Sequence, residues 1–281
     1  MRGKRVAAVL VAVLLLAAGC GAAGEAEREP DGGETEIQLF AAASLRGVLE
    51  ELADKYQEER PEVKITLNAD SSGTLLAQIR EGYACDLFFS AAEKQMDELE
   101  KEGLTVPGTR TDVLQNRLAV VTQKGSGTKV TGLQSLGEAQ SIALAGGSVP
   151  AGKYTRQALV NLGILEQTEE VDKITTQEIA HALGGAEISE QSNVSKVLTA
   201  VAEGSCEVGT VYLSDVRGYA DRLEILEIVE KELTGDVVYP LCRVVNEEAG
   251  AAQKKEAEAF YRFFLSEQAG KLYEAYGFET R

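Results

Sequence analysis

The sequence predicts an α/β protein of two lobes joined by two crossing strands. Short apolar runs alternate with amphipathic helical stripes from residue 36 to the C-terminus. Four of those runs feed a turn that starts a helix on small neutral residues. Two further strand-like runs, 117–121 and 237–245, stand where the chain would leave one lobe and return to it. On this reading residues 35–117 and 240–281 build lobe 1 and residues 118–239 build lobe 2.

The elements follow in order. Residues 36–40 (EIQLF) are a strand, leading through Ala41-Ala42-Ala43 to Ser44. Leu45, Val48, Leu49, Leu52, Ala53 and Tyr56 then recur at the spacing of one helical face, and Pro61 marks the exit. Residues 63–67 are a second strand, followed by Asp70-Ser71-Ser72-Gly73 and a helix with Leu75, Leu76 and Ile79. Residues 86–89 are a third strand, and residues 93–102 a helix stopped by Gly103. Residues 141–145 (SIALA) run into Gly146–Gly152 and a helix reaching Gly163. Residues 173–183 read as a helix broken at Gly184-Gly185, and Ser192-Asn193 opens another with Val194, Val197, Leu198, Val201 and Ala202. Residues 207–212 are a strand, residues 237–245 a long strand interrupted by Pro240. Two terminal helices, 251–265 and 267–276, carry Phe260, Phe263, Phe264, Leu272, Tyr273 and Tyr276 as packing residues.

The N-terminus sets the compartment. Arg2, Lys4 and Arg5 precede an uncharged apolar run from Val6 to Ala18, which ends at Gly19-Cys20. That is the layout of an export signal (1–19), too short for the roughly 20 residues of a spanning helix. Cys20 after small residues has the form of a bacterial lipoprotein signal, so acylated Cys20 would tether the chain outside the membrane. Residues 20–34 read as a flexible acidic tether. Three cysteines remain, Cys85, Cys206 and Cys242, and the spacing does not choose a pair among them.

Charge removes whole classes. The formal net charge is −17, and three of the 28 cations lie in the export signal, so the rest is more acidic still. Such a chain repels phosphodiester backbones, and no nucleic-acid partner is expected. One His and four Cys without a C-x-x-C spacing leave no site for a free metal cation. Residues 147–153 (GSVPAGK) match a phosphate-loop pattern after a strand. Tyr154 then stands where Ser or Thr must hold Mg²⁺, and Pro150 lacks an amide hydrogen. A serine hydrolase would need His181, which sits in a polar helix with no G-x-S-x-G elbow in the chain. No enzyme activity and no cofactor are expected.

The helix starts remain. Ser44, Ser72, residues 148–151 and residues 192–194 each stand at a strand-to-helix turn. One such turn alone is ordinary N-capping. Facing one cleft, the four would make a cage of neutral donors, because helix N-termini present free N–H groups and a positive dipole end. Asp70 beside an anion would be repulsive and is expected to point away.

At these turns the sequence resembles the molybdate-binding proteins of bacterial ABC importers. The matching pieces are residues 40–45 (FAAASL), 71–75 (SSGTL) before Gln78-Ile79, 86–91 (DLFFSA), 149–154 (VPAGKY), 211–215 (VYLSD), Tyr239-Pro240 and 276–278 (YGF). They span nearly all of residues 36–278. The resemblance implies a two-lobed periplasmic-binding-protein fold of type II. It implies that molybdate, and tungstate with it, is bound as an oxyanion by Ser44, Ser72, the amides of Ala151 and Val194, and the Tyr212 hydroxyl. Tyr212 enters through the resemblance alone, as a neutral phenol with an ordinary pKa near 10. Residues 172–192 are longer than the family's usual connection before Val194. The implied protein is a monomeric, lipid-anchored, extracytoplasmic receptor that delivers its anion to a membrane permease. A cage made only of donors offers no acceptor to protonated phosphate. A receptor for sulfate or another oxyanion, or an extracytoplasmic ester hydrolase, are the alternatives.

Overall fold

The computed structural model of the protein describes residues 34–281. The export signal and residues 20–33 of the acidic tether lie outside the described residues. β1 (Thr35–Ala42) is buried on both faces from Leu39 to Ala42, as strands inside a helix-covered sheet are. A 3₁₀ turn (Ala43–Leu45) leads to α1 (Arg46–Glu59), which buries Val48, Leu49, Leu52, Ala53 and Tyr56. β2 (Val63–Asp70), α2 (Ser72–Arg80), β3 (Leu87–Phe89) and α3 (Glu93–Lys101) follow. β4 (Thr111–Asn116) and β5 (Leu118–Gln123) are separated by Arg117 alone. Next come β6 (Ser141–Ala145), α4 (Pro150–Asn161), α5 (Thr176–Ala182), β7 (Glu187–Gln191), α6 (Val194–Ala202), β8 (Val208–Tyr212), α7 (Leu213–Val216), β9 (Leu223–Ile228) and α8 (Lys231–Thr234). β10 (Val237–Arg243), α9 (Ala251–Phe264), α10 (Glu267–Ala275) and β11 (Glu279–Thr280) complete the chain.

The strands form two sheets, ordered β11-β4-β10-β3-β1-β2 and β7-β6-β8-β5-β9. β1 runs parallel to β2, with Ala42 opposite Asp70, so the turns leaving the two strands lie side by side. β6 runs parallel to β7, with Ala145 opposite Gln191, and sets its own two turns side by side in the same way. Ligands of open α/β sheets bind at the carboxyl ends of such strands.

The crossing differs in detail from the sequence reading. Val237–Tyr239, expected in lobe 2, pair with β4 in the larger sheet, Val237 opposite Asn116. The register shifts between Tyr239 and Pro240, where proline has no amide to give the ladder. Residues 118–123 belong wholly to the smaller sheet. The chain therefore changes sheets at Arg117 and again within residues 229–236, rather than along a shared strand. β4, β7, β9 and the short β11 are strands the sequence pattern did not announce. β7 and β9 are the edges of the smaller sheet and bury little; β7 has one apolar residue, and the four of β9 fall on both faces, so neither shows a strand alternation.

The terminal helices close over the larger sheet as the aromatic pattern predicted. The Tyr56 ring lies 4.7 Å from Phe260 and 5.1 Å from Phe263. Among the described residues Cys85, Cys206 and Cys242 are all buried free thiols.

Candidate functional site

Four strand-to-helix turns converge on one small cavity. Its lining includes Ala42, Ala43, Ser72 and Ala91 from the larger-sheet half, and Val149, Ala151, Val194 and Tyr212 from the other. Ser72, Pro150 and Val194 are the first residues of α2, α4 and α6. The first N–H groups of a helix have no intrahelical acceptor, so three positive helix ends face the same space.

Capping and lining fall to different residues. Ser71 caps α2, its hydroxyl accepting from the Thr74 amide at 3.1 Å. Ser72 is 1% exposed, and its Oγ accepts from the Ala91 amide at 2.9 Å. A hydroxyl that accepts there keeps its own hydrogen to donate. Asn193 caps α6 by accepting from the Lys196 amide at 3.0 Å. α4 has no side-chain cap; Pro150 at its first position needs no acceptor for an amide hydrogen it lacks.

Close backbone approach shapes the α4 turn. A Cβ on Gly152 would fall 2.1 Å from the Gly146 carbonyl oxygen and 2.4 Å from that of Ala145. Beneath it lies Arg156, 1% exposed, which donates to the carbonyls of Ala145 (2.9 Å), Gly152 (3.0 Å) and Ile174 (2.7 Å). Its burial lowers the guanidinium pKa, yet a guanidinium keeps its charge at neutral pH.

Tyr212 ends β8 and is 1% exposed, its ring edge-on to Tyr239 at 5.7 Å. Its hydroxyl is buried and has no hydrogen-bond partner. Burial holds the phenol well above its usual value, not near 10, so it remains a neutral donor throughout the working range. The neighbouring Asp215 accepts from the Tyr212 amide at 3.0 Å, and burial raises its carboxyl to about 7.

The cavity thus brings together four of the expected donors: Ser72, Ala151, Val194 and Tyr212. Ser44 stands apart. Its Oγ lies 3.0 Å from the Tyr239 hydroxyl, which also accepts from the Asn116 side-chain amide at 3.2 Å, while Ala42 and Ala43 line the cavity in its stead. Asp70 corrects the expectation that it points away. It lines the cavity, and its Oδ1 accepts from Asn193 Nδ2 across the cleft at 2.9 Å and from the Ser71 amide at 2.7 Å. The lining is therefore not made only of donors. Val194 keeps its place because residues 172–192 fold away into α5 and the edge strand β7.

The halves touch around the cavity. Lys94 donates to Asp172 at 2.6 Å, and Ser195 Oγ to the Ala43 carbonyl at 3.4 Å. A Cβ on Gly73 would sit 2.7 Å from the Ser148 carbonyl oxygen. Sequence reading missed Tyr239, Asn116 and the Asn193 side chain. Tyr239-Pro240 lay in a matching piece but gave no sign of reaching Ser44 through space. A larger hollow along residues 164–182 contains none of the four turns. Among the described residues no group of three or more His, Cys, Asp or Glu could hold a metal ion.

Residues 37–279 match the family described as bacterial extracellular solute-binding protein. The chain belongs to that family. Within it, the Bacillus subtilis protein provisionally named ABC transporter substrate-binding lipoprotein YvgL is 31% identical over 267 residues, covering 94% of this chain and 93% of its own. The molybdate-binding protein ModA of Escherichia coli is 30% identical over 256 residues, covering 88% of this chain and 90% of its own. The periplasmic molybdate-binding protein of Azotobacter vinelandii superposes with a TM-score of 0.68 at 24% identity, over 86% of this chain and 98% of that one. The expected resemblance and the two-lobed periplasmic-binding-protein fold both hold. This solute-binding protein is the substrate-binding component of an ABC transporter, and its relatives are transport proteins rather than enzymes.

Proposed function

We propose that this solute-binding protein captures molybdate, and tungstate with it, and delivers the anion to the permease of its importer. The observation that carries this is the Tyr212 hydroxyl, buried without a partner in a cavity where three helices begin and no cation lines the wall. An unpaired buried donor costs free energy, and a ligand oxygen repays it. Ser72, the Ala151 and Val194 amides and Tyr212 form the donor set around the anion. Ser44 joins it through its amide at the 3₁₀ turn, its hydroxyl being occupied with Tyr239. Hydrogen bonds to a charged acceptor are worth roughly 1.5–3 kcal/mol each, enough in number to offset desolvation and lobe ordering. Sulfate has the same charge and symmetry, so cage size makes the choice. The ModA name of a 30% identical relative supports molybdate. The lipoprotein name of YvgL supports acylation of Cys20, with the monomeric receptor held at the outer face of the membrane.

Calorimetry on residues 21–281 with molybdate, tungstate, sulfate and phosphate tests the proposal. Tight, stoichiometric binding of the first two and much weaker sulfate binding is expected. Equal heats for sulfate and molybdate would sink the size argument, and turnover of an ester with release of product would point to a hydrolase instead.

A further inference from the structure

Asp70 is the one charged residue in the cavity lining. Its Oδ1 holds two donors at once. The Ser71 amide belongs to its own half, at the start of α2, and the Asn193 amide belongs to the other half. Asn193 is itself tied to α6, because its Oδ1 accepts from the Lys196 amide. The bridge therefore links the end of β2 to the first turn of α6, the turn that carries Val194 to the cavity.

We propose that Asp70 sets the affinity and charge preference of the site: its carboxylate draws the two halves together through Asn193, while its charge loosens the hold on the enclosed anion. The proposal rests on the oxyanion reading above. The two effects have opposite signs. The bridge favours the closed form with or without a ligand, so closure needs less of the anion's own binding energy. The carboxylate raises the energy of the occupied site by an amount proportional to the charge of the anion. A receptor that must surrender its cargo gains from the combination, since it closes readily and still lets go.

Two substitutions separate the effects. Asp70→Asn keeps an Oδ1 able to accept from both Ser71 and Asn193 and removes only the charge. Asp70→Ala removes charge and bridge together. The probes are molybdate and perrhenate, tetrahedral anions of similar size carrying two charges and one, measured at low ionic strength by calorimetry and stopped-flow release. Asp70→Asn should raise molybdate affinity about tenfold and perrhenate affinity about threefold, because the Coulomb energy doubles with the ligand charge. Asp70→Ala should release molybdate about tenfold faster than Asp70→Asn, the two differing only in the bridge.

A residue that merely shaped the turn would weaken both anions alike in both variants, and that outcome overturns the proposal. Phosphate binding present in the unaltered protein and lost in Asp70→Asn also overturns it, since the carboxylate would then be a partner for a protonated ligand. If Asp70→Ala does not fold, the charge-dependent gain in Asp70→Asn decides alone. Failure of the oxyanion reading has a separate signature: the unaltered protein would then bind neither molybdate nor perrhenate.

Discussion

The two halves of the cleft reach the cavity by different chemistry. The larger-sheet half adds side chains, the Ser72 hydroxyl and the Asp70 carboxylate, to the backbone at the start of α2, with Ser44 behind them on Tyr239. The smaller-sheet half presents backbone at the starts of α4 and α6, with Tyr212 as its one hydroxyl. A backbone donor survives any side-chain change that leaves its turn intact. The smaller-sheet half is therefore governed by residues that shape the chain, and the larger-sheet half by residues that carry atoms to the ligand.

The hardest test of this contrast is Gly152→Val. Its Cβ meets two backbone carbonyls, which cannot swing aside as a side-chain tip can, so α4 must separate from β6. The expected cost is about 3 kcal/mol of stability or more, a fall in melting temperature of roughly 6–12 °C, together with loss of anion binding. A variant with unchanged melting and affinity would show that the α4 turn is not held by backbone contact.

Tyr212→Phe comes next. The ring keeps its place against Tyr239 and only the hydroxyl goes. Molybdate affinity should fall by about 1–3 kcal/mol, five- to 150-fold, with the unliganded melting temperature unchanged or slightly raised. Calorimetry beside a thermal melt reads both, and wild-type affinity would remove Tyr212 from the donor set.

Adjacent serines sharpen the contrast inside the larger-sheet half. Ser71→Ala removes a cap, costing about 0.5–2 kcal/mol of stability while sparing affinity in the folded fraction. Ser72→Ala removes a donor and leaves the Ala91 amide unpaired, so affinity should drop as well, by about 1 kcal/mol or more. Equal affinity in the two folded variants would reduce both serines to capping.

The smallest effect is a pH slope. Burial raises the Asp215 carboxyl to about 7, above its unfolded value near 4. Between those values the folded chain keeps a proton that the unfolded chain releases, so this group's contribution declines as pH rises from 4 and is flat above 7. Asp215→Asn should abolish that decline. Each pKa unit is worth about 1.4 kcal/mol, but the residue keeps part of its surface in water, so a relative gain of about 1 kcal/mol at pH 8 is expected. Parallel melting curves of the two proteins at pH 5 and 8 would count against it.

Much of this was legible in the chain because it is written locally. The α1 stripe of Leu45, Val48, Leu49, Leu52, Ala53 and Tyr56 is buried as its spacing predicts. So are Val194, Val197, Leu198, Val201 and Ala202 of α6. Ser72 and Val194 stood out because a helix start is a short-range feature. What resisted reading was long-range. Nothing near Ser44 announces Tyr239, 195 residues away, and nothing near Asp70 announces Asn193, 123 residues away. The division of labour between Ser71 and Ser72 was equally hidden, since both serines suit a cap and only the Ala91 amide separates them. β7 and β9 escaped because an edge strand with polar residues on both faces carries no period to detect.

The cavity is small, and Gly73 is held against Ser148 where the halves meet beside it. An ion held between the halves exchanges as they part. Exchange is then timed by the opening of the protein rather than by diffusion, on the microsecond-to-millisecond scale of such motions. As ligand concentration rises, the observed rate of capture should climb and then level off at the opening rate. Below that ceiling the protein counts encounters; above it, the protein is its own clock.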